Sequence, residues 1–196
     1  MNKKSHVLIT KKVTENIPER GRMWFLLGSI LPDLLLHTYL KGHTWESAFE
    51  HINGKMYELE RNGRNNWYSY LMLGYILHYI EDFYTFAHNQ VFEGGLAKHI
   101  RYEKALAKYL GQEGTIRGKK RENRMSLSVT MAYLEKTHRE YLKEAGNFET
   151  DAVYIYKAAE AVSSCMLWAF EVNSREDEST ESVPVDVISD YRKVRL

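Results

Sequence analysis

The chain has 196 residues, of which 44% are hydrophobic, 13% aromatic and 27% charged, with only 3 Pro and 12 Gly; disordered, collagenous and low-complexity classes are excluded. Lys plus Arg number 27 against 26 Asp plus Glu, so the formal charge of +1 creates no global field, and no stable nucleic-acid partner is expected. A single cysteine, Cys165, excludes an internal disulfide and reads as a small buried hydrophobe.

Apolar residues recur at helical spacing nearly everywhere, while strand-type alternation never persists, so the fold reads all-α. Ser5 can cap a first helix from His6 to about Asn16, stopped by Pro18. A second segment runs from Met23 to Ile30, and a third from Pro32 to about Leu40, with Pro32 at a first-turn position. The stretch Met23 to Leu40 is greasy, but an Asp at mid-bilayer costs about 3 kcal/mol and Asp33 sits in its second half, beside Pro32. It reads as buried rather than spanning. Charges through the first twenty-two residues break any signal-peptide pattern, so an unprocessed, cytoplasmic protein is expected.

Further helices are predicted from Thr44 to Asn62, Trp67 to about Ala87, Leu96 to Leu110, Arg124 to Ala145 and Phe148 to Val172. The loop from Gly111 to Arg124 carries the basic run RGKKRENR, read as solvated surface. From Ser174 the composition turns to Ser, Thr, Asp and Glu. Residues 1–173 therefore read as one all-α domain and 174–196 as a polar linker with a marginal tail.

Polar residues stand where solvation does not explain them. Of six Asp only two, Asp33 and Asp82, fall in the first 150 residues, and both lie among apolar neighbours. Seven of eight His lie within the first 99 residues, with His78 in the greasiest helix. A buried carboxylate must find a cation, several donors or a metal. Residues four apart on a helix are offset by about 40° and about 6 Å, so His78 with Asp82, and His99 with Glu103, each present two donors from one face. His88, six residues past Asp82, need not serve the same ion as His78 and can join His99 and Glu103. Imidazoles with carboxylates suit zinc better than calcium or magnesium. The aromatics Tyr68 to Phe86 read as core, and Glu135-x-x-His138 is half of a di-iron motif with no second copy.

This order of residues resembles the zinc-dependent phospholipase C family, all-α phosphodiesterases related in fold to zinc-dependent single-strand nucleases. His78-Tyr79, Asp82 and His88 match its core-helix motif, and His99-Ile100-Arg101-Tyr102-Glu103 matches its His-x-x-Tyr-Glu. Ser5-His6 resembles its N-terminal zinc histidine, and Leu31-Pro32-Asp33 its active-site aspartate. The resemblance implies a single-domain helical bundle with two or three zinc ions. It implies that Asp82 bridges one ion shared with His43 and His78 and another shared with His6, while His88, His99 and Glu103 hold the third. His43 is the best upstream ligand, with His51 and His37 as rivals.

Secreted members complete one zinc site with a processed N-terminal Trp. This chain begins Met1-Asn2-Lys3-Lys4-Ser5-His6, which leaves the His6 site weak, absent, or completed by the Met1 amine or by solvent. The implied activity is metal-assisted hydrolysis of a phosphodiester, phospholipid or other, with Asp33 as the general base and Glu103 as the alternative. A nuclease-like phosphodiesterase and a non-catalytic zinc-stabilised interaction protein are the rival functions. Oligomeric state is not encoded in any motif.

Overall fold

The computed structural model describes residues 1–15, 17–34, 42–112 and 125–181, and among these it is all-α, with seven helices and no strand. The helices are α1 (Lys3–Val13), α2 (Glu19–Ile30), α3 (Trp45–Asn62), α4 (Trp67–Phe83), α5 (Leu96–Leu110), α6 (Leu127–Glu144) and α7 (Phe148–Glu181). Two 3-10 turns, Pro32–Leu34 and Phe86–His88, join the set. No described helix is long and apolar enough to cross a membrane.

α4 is the axis of the molecule. Asn66 caps it, its Oδ1 accepting the Ser69 N–H at 2.9 Å, and twelve of its seventeen residues are buried. Such all-round burial follows from a sequence that is apolar on every face, unlike the one-sided stripes of α3 and α5. Around it pack α2, α3 and α7, while α1 lies against α2, α5 and α7. The α2–α4 crossing is closest, and two glycines make it possible. A Cβ on Gly28 would stand 2.0 Å from the Leu71 carbonyl oxygen, and one on Gly74 would stand 2.1 Å from that of Phe25. Only hydrogen fits there.

Several boundaries differ from the sequence expectation. α1 begins at Lys3, because Asn2 rather than Ser5 is the cap; its Oδ1 accepts the Ser5 N–H at 3.1 Å, leaving Ser5 buried in the first turn. α2 begins at Glu19, immediately after Pro18. Of the helix expected over 32–40 the described part is a 3-10 turn, and the remainder, with His37, lies outside the described residues, as does the basic run up to Arg124.

α4 stops at Phe83, not Ala87. The Asn89 side chain folds back and donates to the carbonyls of Phe83 and Thr85, at 3.1 and 2.8 Å, turning the chain out of the helix. α7 runs on to Glu181, so residues 174–181 are helical where composition suggested a linker. Ser174 and Asp177 of this stretch dock the α3–α4 loop, Ser174 accepting from the Asn65 N–H at 3.0 Å and Asp177 pairing with Arg64, while Asn173 just before it donates to the carbonyls of Glu60 and Gly63 at 2.9 Å each.

Candidate metal centre

The C-terminal end of α4 delivers His78, Glu81 and Asp82 into the interior, all with no exposed surface. His78 and Asp82 share a helical face as their spacing requires, with Nε2 and Oδ2 3.3 Å apart. His6 arrives from α1, stacked on His78 with ring centroids 4.0 Å apart. His43 arrives from the residue before the α3 cap, its Nδ1 3.1 Å from Asp82 Oδ2 and 3.2 Å from His78 Nε2. Thus one Asp82 oxygen faces His43 and His78. The other faces His6 Nε2 at 3.6 Å and His88 Nε2 at 3.7 Å.

The second half of the site comes from the turn after α4 and the start of α5. Glu103 Oε1 lies 2.9 Å from His88 Nε2 and 3.0 Å from His99 Nε2. Asp33, on the 3-10 turn after α2, stands 3.9 Å from His78 Nε2. Three groups therefore have donor atoms close enough to hold an ion: His6, His78 and Asp82; Asp33, His43 and His78; and His88, His99 and Glu103. His51, the rival upstream histidine, is exposed on α3.

Two ligands of a tetrahedral zinc, each about 2.1 Å from the metal, stand about 3.4 Å from one another. The contacts above, from 2.9 to 3.7 Å, match that edge length. A buried imidazole nitrogen without a partner agrees with it: His6 Nε2, which faces Asp82, has no hydrogen bond among the described residues. The donors thus fit a zinc site.

Outer contacts fix the rings. The Ser29 carbonyl can only accept, so His78 Nδ1 donates to it at 2.9 Å, which leaves the Nε2 lone pair facing Asp82. The Gly28–Gly74 crossing sets that carbonyl in place. His6 Nδ1 lies 2.6 Å from Glu81 Oε2, the carboxylate–histidine arrangement that orients metal-ligating imidazoles.

Electrostatics favours the ligand-ready protonation states. Burial lowers His6 well below the usual imidazole range, takes His78 to about 4 and lowers His88, so their rings are neutral at pH 7. Burial works to raise Asp82, but the Met1 ammonium and the hydrogen bond to His43 outweigh it and hold the carboxyl well below its ordinary value. Glu103 is likewise lowered, its hydrogen bonds to His88 and His99 overcoming desolvation. Neutral imidazoles beside ionised carboxylates are the forms that take up a divalent cation. The Met1 ammonium shows the demand for positive charge: it pairs with Asp82 and sits 3.4 Å from Glu103 Oε1.

A cavity of about 600 Å³ opens onto the site, lined by Asp33, His43, His88, His99 and Glu103 together with Lys3, Lys4, Leu96 and Ile100. Burial pushes Asp33 up to about 6, with Asp82 adding to the effect. Among the described residues no Phe, Tyr or Trp lines this cavity; of the aromatics read as core, Tyr70, Tyr79, Phe83 and Tyr84 are buried and Tyr75 and Phe86 partly so, but Tyr68, in the first turn of α4, faces solvent at 51% exposure.

Several supporting residues escape sequence reasoning. Glu81 is masked by its neighbour Asp82, which carries the motif. His138 donates Nε2–H to the Phe83 carbonyl and to Asn89 Oδ1, both at 3.1 Å, locking the turn that leads to His88. Asp151 accepts from the Phe86 N–H at 3.0 Å and the Tyr102 hydroxyl at 2.9 Å, tying the turn that carries His88 to the helix that carries Glu103. An isolated Asp at the start of α7 is the single hint the sequence offers.

Searches among curated proteins and solved structures return no match. Comparison with protein families, however, matches residues 5–148 to the zinc-dependent phospholipase C family, a stretch that contains every one of the candidate ligands His6, His43, His78, Asp82, His88, His99 and Glu103. The all-α fold and these clusters agree with that match, and the chain belongs to the zinc-dependent phospholipase C family.

Proposed function

We propose that this protein is a zinc-dependent phosphodiester hydrolase of the phospholipase C type, holding two or three zinc ions. The observation that carries the reading is Asp82: a carboxylate with no solvent exposure whose two oxygens face different imidazole sets, His43 with His78 and His6 with His88. That division supports a bridging role for Asp82, with His88, His99 and Glu103 holding a further ion. When bound, zinc supplies Lewis-acid charge to the phosphate and lowers the pKa of a nearby water.

The chain's own residues complete the chemistry. Asp33 is the better base, because it lines the cavity beside the ligands with no imidazole of the described residues hydrogen-bonded to it, whereas both His88 and His99 hold the Glu103 carboxylate at 2.9 and 3.0 Å. Water oxygen bonds to phosphorus, the bond from phosphorus to the leaving alcohol oxygen breaks, and that oxygen takes up a proton. Asp33 receives the proton that the water loses.

The test is zinc content together with chelator-sensitive hydrolysis of a soluble aryl phosphodiester. Hydrolysis that disappears in Asp82→Asn and His78→Ala with loss of zinc is expected. Asp33→Asn is expected to keep its zinc and lose about 10²- to 10⁴-fold in kcat, the usual worth of a general base. Bound zinc without turnover in the wild type would leave only the non-catalytic reading.

A further inference from the structure

Resting on the reading above, the cavity mouth carries information about which phosphodiester enters. Lys3 and Lys4, in the first turn of α1, line it; both are exposed, and neither has an ion-pair partner among the described residues. On α5, Leu96 and Ile100 line the same mouth, 68% and 42% exposed, one helical turn apart and so on one face. Solvent-facing apolar side chains at a cavity entrance mark a surface that meets an apolar partner.

Of the carboxylates that line the cavity, Glu103 is held inside it by His88 and His99, and Asp33 lies deeper, 3.9 Å from His78 Nε2. Among the described residues no Phe, Tyr or Trp lines the cavity, and its mouth is set by the lysines of α1 and the aliphatic side chains of α5. We propose that this mouth, cationic at α1 and apolar at α5, selects phospholipids of net negative charge presented at a bilayer surface. Lys3 and Lys4 attract the anionic headgroups, and Leu96 and Ile100 meet the acyl region.

In that substrate the bond between phosphorus and the glycerol oxygen breaks, water adds to phosphorus, and diacylglycerol leaves with a proton. The experiment gives the zinc-loaded full chain vesicles of phosphatidylcholine, or of phosphatidylcholine mixed with phosphatidylglycerol, and measures release of each phosphorylated headgroup and co-sedimentation. The readout is the ratio of anionic to zwitterionic lipid turned over, which cancels any general loss of folding or zinc.

Wild type is expected to prefer phosphatidylglycerol. The double variant Lys3→Glu/Lys4→Glu is expected to lower that ratio by about 25-fold or more, at about fivefold for each lysine removed near an anionic surface. Lys3→Gln/Lys4→Gln and raised salt are expected to move it in the same direction. A ratio indifferent to charge reversal, a wild-type preference for phosphatidylcholine, or cleavage of single-stranded oligonucleotide in place of either lipid would overturn the proposal. If the wild type fails even on the soluble aryl phosphodiester, the catalytic reading fails instead. Co-sedimentation then decides this proposal, which requires lysine-dependent retention on anionic vesicles and is refuted without it.

Discussion

Asp151 offers the sharpest quantitative check, because its carboxyl lies away from the candidate ligands yet supports two of them. It has no exposed surface and accepts from the Phe86 N–H and the hydroxyls of Tyr102 and Tyr141, at 3.0, 2.9 and 2.8 Å. Burial nonetheless pushes its pKa from 3.8 to about 6, against the pull of those donors. A raised folded-state pKa means that the folded protein holds the proton more tightly. The corresponding stability is fully present below pH 3.8 and is lost as pH rises through about 6.

Integrated over these two values, the group has lost about 1.6 kcal/mol by pH 5 and about 3 kcal/mol by pH 7.5, a difference of roughly 1.4 kcal/mol. Urea unfolding of the metal-free protein and of Asp151→Asn, run across that range, isolates the contribution of this carboxyl. The wild type is expected to lose about 1.4 kcal/mol relative to the variant between pH 5 and pH 7.5. A flat difference curve, or one of opposite slope, would refute the claim that burial dominates the three donors. Asp151→Ala, which strands those donors, is expected to cost about 3 kcal/mol or more and to weaken zinc retention through the displaced His88 turn.

Further perturbations reach the site from other directions. Gly28→Ala puts a methyl group where the Leu71 carbonyl oxygen stands 2.0 Å away, so α2 must shift and carry the Ser29 carbonyl off His78; thermal melts are expected to show a loss of about 1–3 kcal/mol, with weaker zinc binding. A melt equal to wild type would mean that the crossing is not tight. Glu81→Gln removes the carboxylate that orients His6 and is expected to weaken zinc affinity about 10- to 100-fold in competition titrations, with helicity unchanged by circular dichroism. Chelation should lower the melting temperature by roughly 8–16 °C, equivalent to about 4 kcal/mol for zinc held at a thousandfold excess over its Kd; an unchanged melt would deny that the ions stabilise the fold.

What could be read in the sequence was what local chemistry dictates. The i, i+4 pairs His78–Asp82 and His99–Glu103 follow from helix geometry alone, and both meet as spaced. His88 is different: it leaves the helix on a turn shaped by Asn89, His138 and Asp151, so its direction is set by residues distant in the chain. Glu81 was hidden because its role depends on α1 crossing α4. The polar run at residues 174–181 reads as a linker because composition records solvation, and it carries no sign that Ser174 and Asp177 find partners on another loop. Asn2 and Ser5 are both residue types that cap helices, so the sequence does not choose between them, and the structure caps α1 with Asn2.

The central claim is that divalent cations neutralise the imidazoles and carboxylates buried at the end of α4. X-ray absorption at the zinc edge, on protein reconstituted with zinc and dialysed, tests it most directly. Nitrogen and oxygen neighbours at about 2.0–2.1 Å, lost in Asp82→Asn with His78→Ala, are the predicted spectrum. Zinc that washes out of the wild type, or a sulfur shell at about 2.3 Å drawing on Cys165, would contradict the account.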